Sequence, residues 1–228
     1  MRKVIGSGSR RILLTLGVIS LASLGFFAVS ALYHQTTADS YLVWNLALAW
    51  LPLVFAGGLL VVLKNWPWLS WRPLAATVLW LAFLPNSFYL ISDLVHLQSV
   101  AAANVLYDSV MFEMFIINGL LLGYLSLHIV HGQLLRRIRP RTANALIGLS
   151  LFLTSFAIYL GRVQRANSWN LLTNPARTLF DISNPIIDPR HHADAFGLTL
   201  TFFVMLVVLY FASRRLVVLL GLLARADR

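Results

Sequence analysis

Long apolar runs alternate with short polar connections along almost the whole chain. Six runs stand out, at roughly 12–32, 41–63, 74–92, 105–130, 143–160 and 196–212. Each reaches or approaches the ~20 residues that an α-helix needs to cross ~30 Å of hydrocarbon. In lipid the backbone must satisfy its own hydrogen bonds, which helices do within a single segment. The pattern therefore predicts an all-α polytopic membrane protein with six transmembrane helices. A basic segment, 1–11, precedes the six-helix domain 12–212, and a basic tail, 213–228, follows it. The connection 161–195 is the one long stretch between runs. The first run begins after basic residues, and Val29-Ser30-Ala31 resembles a signal-peptide cleavage site. Its roughly 21 residues exceed the usual core of about 7–15, so it reads as a span.

Polar residues interrupt the runs at particular places. Pro52 sits near the middle of the second run, where a proline kinks a helix. The third run ends in Phe83–Leu97, FLPNSFYLISDLVHL. On an α-helix, Asn86, Tyr89, Asp93 and His96 fall within roughly 80° of one another and form a polar stripe. Pro85 frees a carbonyl one turn back in the same stretch. The fourth run opens with Tyr107-Asp108, and Glu113 follows about 7–8 Å deeper at 1.5 Å per residue. Asn118 and Gly119-x-x-x-Gly123 come next, and the glycine spacing reads as close helix packing. The fifth run ends with Arg162, Arg165 and Trp169, which share a face if the helix continues.

Charge orients this pattern. Arg2, Lys3, Arg10 and Arg11 precede the first run, and Lys64 and Arg72 lie between the second and third. Arg136, Arg137, Arg139 and Arg141 lie between the fourth and fifth, and Arg214, Arg215, Arg225 and Arg228 follow the sixth. The first and third connections carry none. The positive-inside rule places both termini in the cytoplasm, as expected in a bacterial inner membrane. Asn45, Asn86, Tyr89, Asp93, His96, Asp108, Arg162 and Arg165 then share the outer leaflet.

Composition agrees with the hydropathy: 59% of residues are hydrophobic and 11% charged, with a mean hydropathy of +0.77. The net charge of +10 lies between apolar runs, so it argues for a lipid bilayer as partner and against nucleic acid. The absence of cysteine excludes disulfides, thiolate metal sites and a cysteine nucleophile. No phosphate-binding glycine loop and no G-x-S-x-G elbow is present.

The candidate chemistry is a set of ionisable residues that are costly in a bilayer. Asp93 and His96 form a candidate acid–base pair, with Asp108 and Glu113 as further proton-carrying groups. Asn45, Asn86, Tyr89, Arg162, Arg165, Asn167 and Trp169 are candidate substrate-binding residues, the arginines for an anion. Each has a structural reading beside the functional one. Asp93 and His96 also suit a solvated helix end, and Asp108 suits a helix N-terminus. Trp66, Trp68 and Trp71 fit an interfacial belt. His128 and His131, beside four arginines, read as interfacial residues. His191-His192 is a weak metal pair, and no metal or cofactor is assigned.

The motifs Leu84-Pro85-Asn86-x-x-Tyr89-x-x-x-Asp93-Leu94-x-His96-Leu97, Tyr107-Asp108 and Tyr159-Leu160-Gly161-Arg162-x-x-Arg165-x-Asn167-Ser168-Trp169 together resemble a family of bacterial multi-spanning membrane proteins catalogued as domain of unknown function 1361. The resemblance runs from about the second helix to the last. It implies the membrane architecture and the choice of site residues, and carries no activity or substrate. The third motif of that family resembles Asn-Ser-Trp-Asp, whereas this chain has Asn170, so no role for that carboxylate carries over. The leading expectation is binding or transport of an anionic or amphiphilic solute at an outer-leaflet polar pocket. The alternatives are an intramembrane enzyme acting on a lipid-linked substrate and a structural or assembly subunit.

Overall fold

A computed structural model describes residues 7–99, 105–163 and 193–226. Its elements are α1 (Ser7–His34), α2 (Ser40–Ala49), α3 (Leu51–Val62), α4 (Trp71–Tyr89), a 3-10 segment η1 (Leu90–Ser99), α5 (Val105–Leu135), α6 (Pro140–Val163) and α7 (Ala193–Ala226). Among the described residues, six stretches are long and apolar enough to cross a membrane, with Ser40–Val62 and Trp71–His96 each forming one span from two elements. The chain is an all-helical, multi-pass membrane protein. It divides into two compact units, residues 1–126 and 127–228, and α5 contributes to both.

In the first unit, α2 and α3 form one interrupted span. The interruption falls at Trp50, and Pro52 stands in the first turn of α3. Proline needs no partner for an N–H there, so the chain bends without a lost donor. Leu42, Leu46, Ala49, Leu53, Ala56, Leu59 and Leu63 are buried along this broken helix. Their three- and four-residue spacing is one helix face. Both α2 and α3 pack against α4. Apolar side chains gain nothing from leaving lipid for protein, so close fit sets the contact, and Ala49 and Ala56 allow it.

Helix α4 also meets α5, through the two spaced glycines. A methyl group on Gly119 would strike the carbonyl oxygen of Ser87 and lie 2.8 Å from Leu90 Cδ1. One on Gly123 would lie 2.6 Å from the ring of Phe88 and 2.9 Å from Ser87 Cβ. The close approach read from Gly119-x-x-x-Gly123 is thus made against α4. Ser87 Oγ in turn donates to Ala49 O at 2.8 Å, tying α4 to the end of α2.

Helix α1 is attached differently. Its buried positions are Leu16, Ser23 and Ser30, spaced seven apart, so two of the three are serines. Asn118 Nδ2 donates to Ser20 Oγ at 2.9 Å, and Trp50 Nε1 donates to the same oxygen at 3.1 Å. Ser23 Oγ donates to Ile19 O at 3.1 Å and lies 3.3 Å from Met114 O. Tyr107 Oη donates to Phe26 O at 2.9 Å, and Ser30 Oγ donates to Asp108 Oδ1 at 3.3 Å. A ladder of hydrogen bonds, rather than an apolar stripe, joins α1 to α5.

In the second unit, α6 packs on α7. Ala143, Ile147, Leu151, Ser155 and Ile158 are buried on one face of α6, and Ala195, Thr199, Leu206 and Tyr210 on one face of α7. Outward-facing Leu149, Phe152, Leu153, Leu200, Val204 and Val208 are exposed, as lipid-facing side chains should be.

Candidate functional site

Five separate stretches converge at one end of the first unit: the end of α1, the connection to α2, the start of α2, η1 and the start of α5. Helix α1 stops at Gln35, whose φ of 51° is left-handed. The Thr36 N–H reaches back to Ala31 O at 3.2 Å, and Gln35 Nε2 caps Leu32 O at 2.7 Å. This closure satisfies helix-end carbonyls with a residue other than the usual glycine. It leaves His34 on the last turn of α1, five residues before Asp39.

Asp39 occupies the N-cap position of α2, yet its side chain makes no capping bond. The carboxylate instead lies near the Tyr41 hydroxyl and in the fields of Asp108, His96 and His34. Burial, followed by the neighbouring Asp108 charge, raises its pKa above 3.8. The Tyr41 hydroxyl and the two histidines act in the opposite direction.

Asp93 and Asp108 are the two buried carboxylates of this end, 1% and 5% exposed. Asn45 Nδ2 donates to Asp93 Oδ2 at 3.1 Å, joining α2 to η1. Asp108, in the first turn of α5, accepts from Ser30 and lies 3.8 Å from His34 Nε2. The His96 ring stands 5.0 Å from the Tyr41 ring.

The polar stripe is not one α-helix. Asn86 and Tyr89 belong to α4, whereas Asp93 and His96 lie in the tighter η1. In a 3-10 helix residues three apart eclipse, so Leu90, Asp93 and His96 line one edge. That edge leaves the core: Leu90 and Asp93 are buried, while His96 is exposed. Asn86 and Tyr89 are half-buried. The α-helical projection erred because Pro85, inside α4, removes a backbone donor just before the helix tightens.

Glu113 stands apart from this group in burial. It is exposed, because it lies on the face of α5 away from Phe112 and Phe115, which are buried. Arg162 is half-buried near the end of α6, in the second unit. Arg165, Asn167 and Trp169, like Asn170, His191 and His192, lie outside the described residues. No group of three or more His, Asp or Glu residues suited to a metal occurs among the described residues.

Sequence reasoning missed Ser30, His34 and Tyr41. Ser20, Ser23 and Ser30 carried a readable signal, since serines at three- and seven-residue spacing mark a helix face. His34 carried less, because a histidine at a helix end has many uses.

The tryptophan-rich connection forms a local cluster at the other end. The Arg72 guanidinium lies 4.4 Å from the Trp66 ring centroid and 5.3 Å from that of Trp71. This cation–π contact lets a charged side chain sit against rings suited to the membrane interface.

No curated protein and no solved structure matches the chain. A family model, by contrast, matches residues 44–209 and so takes in Asn45, the α4–η1 polar segment, Asp108, Glu113 and Arg162. By that match the chain belongs to the family described as protein of unknown function (DUF1361).

Proposed function

We propose that this is a bacterial inner-membrane protein with both termini in the cytoplasm, and that the Asp39–Asp93–Asp108 end of the first unit faces outward and handles protons during binding or transport of an anionic or amphiphilic solute. The charge balance of that end carries the reading. Three carboxylates and two imidazoles gather there, yet residues 12–63 and 73–135 contain no lysine or arginine. Histidine is the side chain suited to exchange protons with such a cluster near neutral pH. Arg162 and Arg165 are proposed from the sequence pattern alone as anion-binding residues. The orientation rests on the arginine distribution along the chain.

The Asn45–Asp93 and Ser30–Asp108 hydrogen bonds favour a second reading, in which the carboxylates only hold helices together. His96 separates the two. It is exposed, so His96→Ala should leave folding intact. Thermal unfolding of the detergent-purified protein is measured for wild type, Asp93→Asn, His96→Ala and Arg162→Ala. Anionic and lipid-linked ligands and divalent metals are added in turn. A ligand that stabilises wild type and fails to stabilise the well-folded His96→Ala and Arg162→Ala variants supports the proposal. Unchanged ligand responses in those two variants, with Asp93→Asn strongly destabilised, would leave the structural reading in its place.

A further inference from the structure

The second unit holds a polar cluster that the candidate site does not use. His131, near the end of α5, is 1% exposed, and Tyr210 of α7 is fully buried. Tyr210 Oη and His131 Nδ1 share a hydrogen bond of 2.8 Å. Arg214, one turn further along α7, places Nη1 2.9 Å from His131 Nε2 and also against His131 Nδ1. It bonds to Tyr210 as well. The His128 ring packs edge-on against Tyr210 at 4.9 Å, and Asn144 of α6 hydrogen-bonds His131.

Among the described residues, no aspartate or glutamate is placed against Arg214. Residues 127–180 and 195–226 contain no aspartate or glutamate. A half-buried guanidinium ordinarily meets a carboxylate or phosphate, because removing its charge from water is costly. Here its contacts are an imidazole and a phenol. Arg136, Arg137, Arg139, Arg141 and Arg215 surround the same end of the unit and are exposed. The cluster lies where apolar helices give way to arginine-rich ends, the depth at which lipid headgroups lie.

We infer that Arg214, held in place by the buried His131 and Tyr210, binds the phosphate of an anionic phospholipid headgroup. Arg214 donates to the phosphate oxygens, while the buried Tyr210 hydroxyl and His131 ring orient its guanidinium. The surrounding arginines attract anionic lipid to that end. This site is independent of the proton-handling cluster in the first unit.

Native mass spectrometry of the full chain, delipidated in detergent, tests it. Phosphatidylglycerol, phosphatidylcholine and inorganic phosphate are added separately. Wild type should retain phosphatidylglycerol about tenfold better than phosphatidylcholine, the factor equal to about 1.4 kcal/mol. Arg214→Gln should remove most of that preference, while Arg141→Gln, an exposed arginine at the same end, should change it by less than about twofold, as expected for a screened surface charge. Tyr210→Phe keeps the ring and should lower retention by about threefold, a modest loss suited to one neutral hydroxyl. It decides the matter if Arg214→Gln does not fold. Equal retention of the two lipids by wild type, equal effects of Arg214→Gln and Arg141→Gln, or no change in Tyr210→Phe would each overturn the assignment. Binding of inorganic phosphate as strong as that of phosphatidylglycerol would overturn the lipid source.

Discussion

Gly119→Ala is the substitution whose effect the geometry constrains best. The added methyl would meet the carbonyl oxygen of Ser87 and sit 2.8 Å from Leu90 Cδ1. A leucine methyl can rotate away, but a backbone carbonyl inside α4 cannot. Ordinary contact requires α5 to retreat from α4 by about 1 Å, and overpacking of this kind costs about 1–3 kcal/mol. Alanine also favours the helix over glycine by about 0.5–1 kcal/mol. Gly57→Ala isolates that benefit, because nothing lies within 4 Å of its added methyl. The two variants should therefore differ in stability by about 1–3 kcal/mol, with Gly119→Ala the weaker. The assay is equilibrium unfolding of the full chain in mixed micelles titrated with SDS, followed by circular dichroism. Gly123→Ala should fall between them, since its contacts include a ring edge that can turn. Equal stability of Gly119→Ala and Gly57→Ala would refute the reasoning. Leu90 opens the segment that carries Asp93, so Gly119→Ala should also alter any ligand response that depends on Asp93.

Three other outcomes follow from the polar contacts. Asn45→Leu removes the amide that donates to buried Asp93 and should destabilise the protein by about 1–3 kcal/mol in the same micelle titration. Asp39 has a raised folded-state pKa, so the folded form binds more protons than the unfolded form above pH 3.8. Its contribution to stability is therefore present at low pH and is lost as pH rises through the folded value. Asp39→Asn should raise the melting temperature at pH 7 relative to wild type and flatten the acid side of the profile; a profile parallel to wild type from pH 4 to 7 would contradict this. Ser23→Leu places a bulky side chain in the α1 seam and should release α1, seen as new protease sensitivity in the connection to α2, whereas Leu21→Ala on the exposed face should not.

The apolar pattern made the six spans legible because span length and lipid solubility are local properties of sequence. Gly119-x-x-x-Gly123 was legible as packing for the same reason, although only coordinates name Ser87 and Phe88 as the surfaces it meets. The polar stripe was legible in membership and not in shape. Asn86 to His96 was projected on one helical period, and the change from α4 to η1 altered that period midway. Burial of Glu113 was not legible, since depth along a helix is set by residue count while facing depends on which neighbours arrive. The convergence of Asp39, Tyr41, His34 and Asp108 was hidden because those residues are brought together by a turn at Gln35, where the usual glycine signal is absent.

The serine seam of α1 also bears on how the protein is made. Translation delivers α1 before α5, and its partners Asp108, Met114 and Asn118 come about eighty to a hundred residues later. During that interval the helix resides in lipid with its seam uncovered. Serine suits such a wait, because Ser23 Oγ already donates to Ile19 O within its own helix. The hydroxyl can pass to a shared bond with Met114 O when α5 arrives. An ionised aspartate at the same position would have no proton to donate to that carbonyl and would burden insertion, so the seam favours a helix that inserts before its partner and docks later.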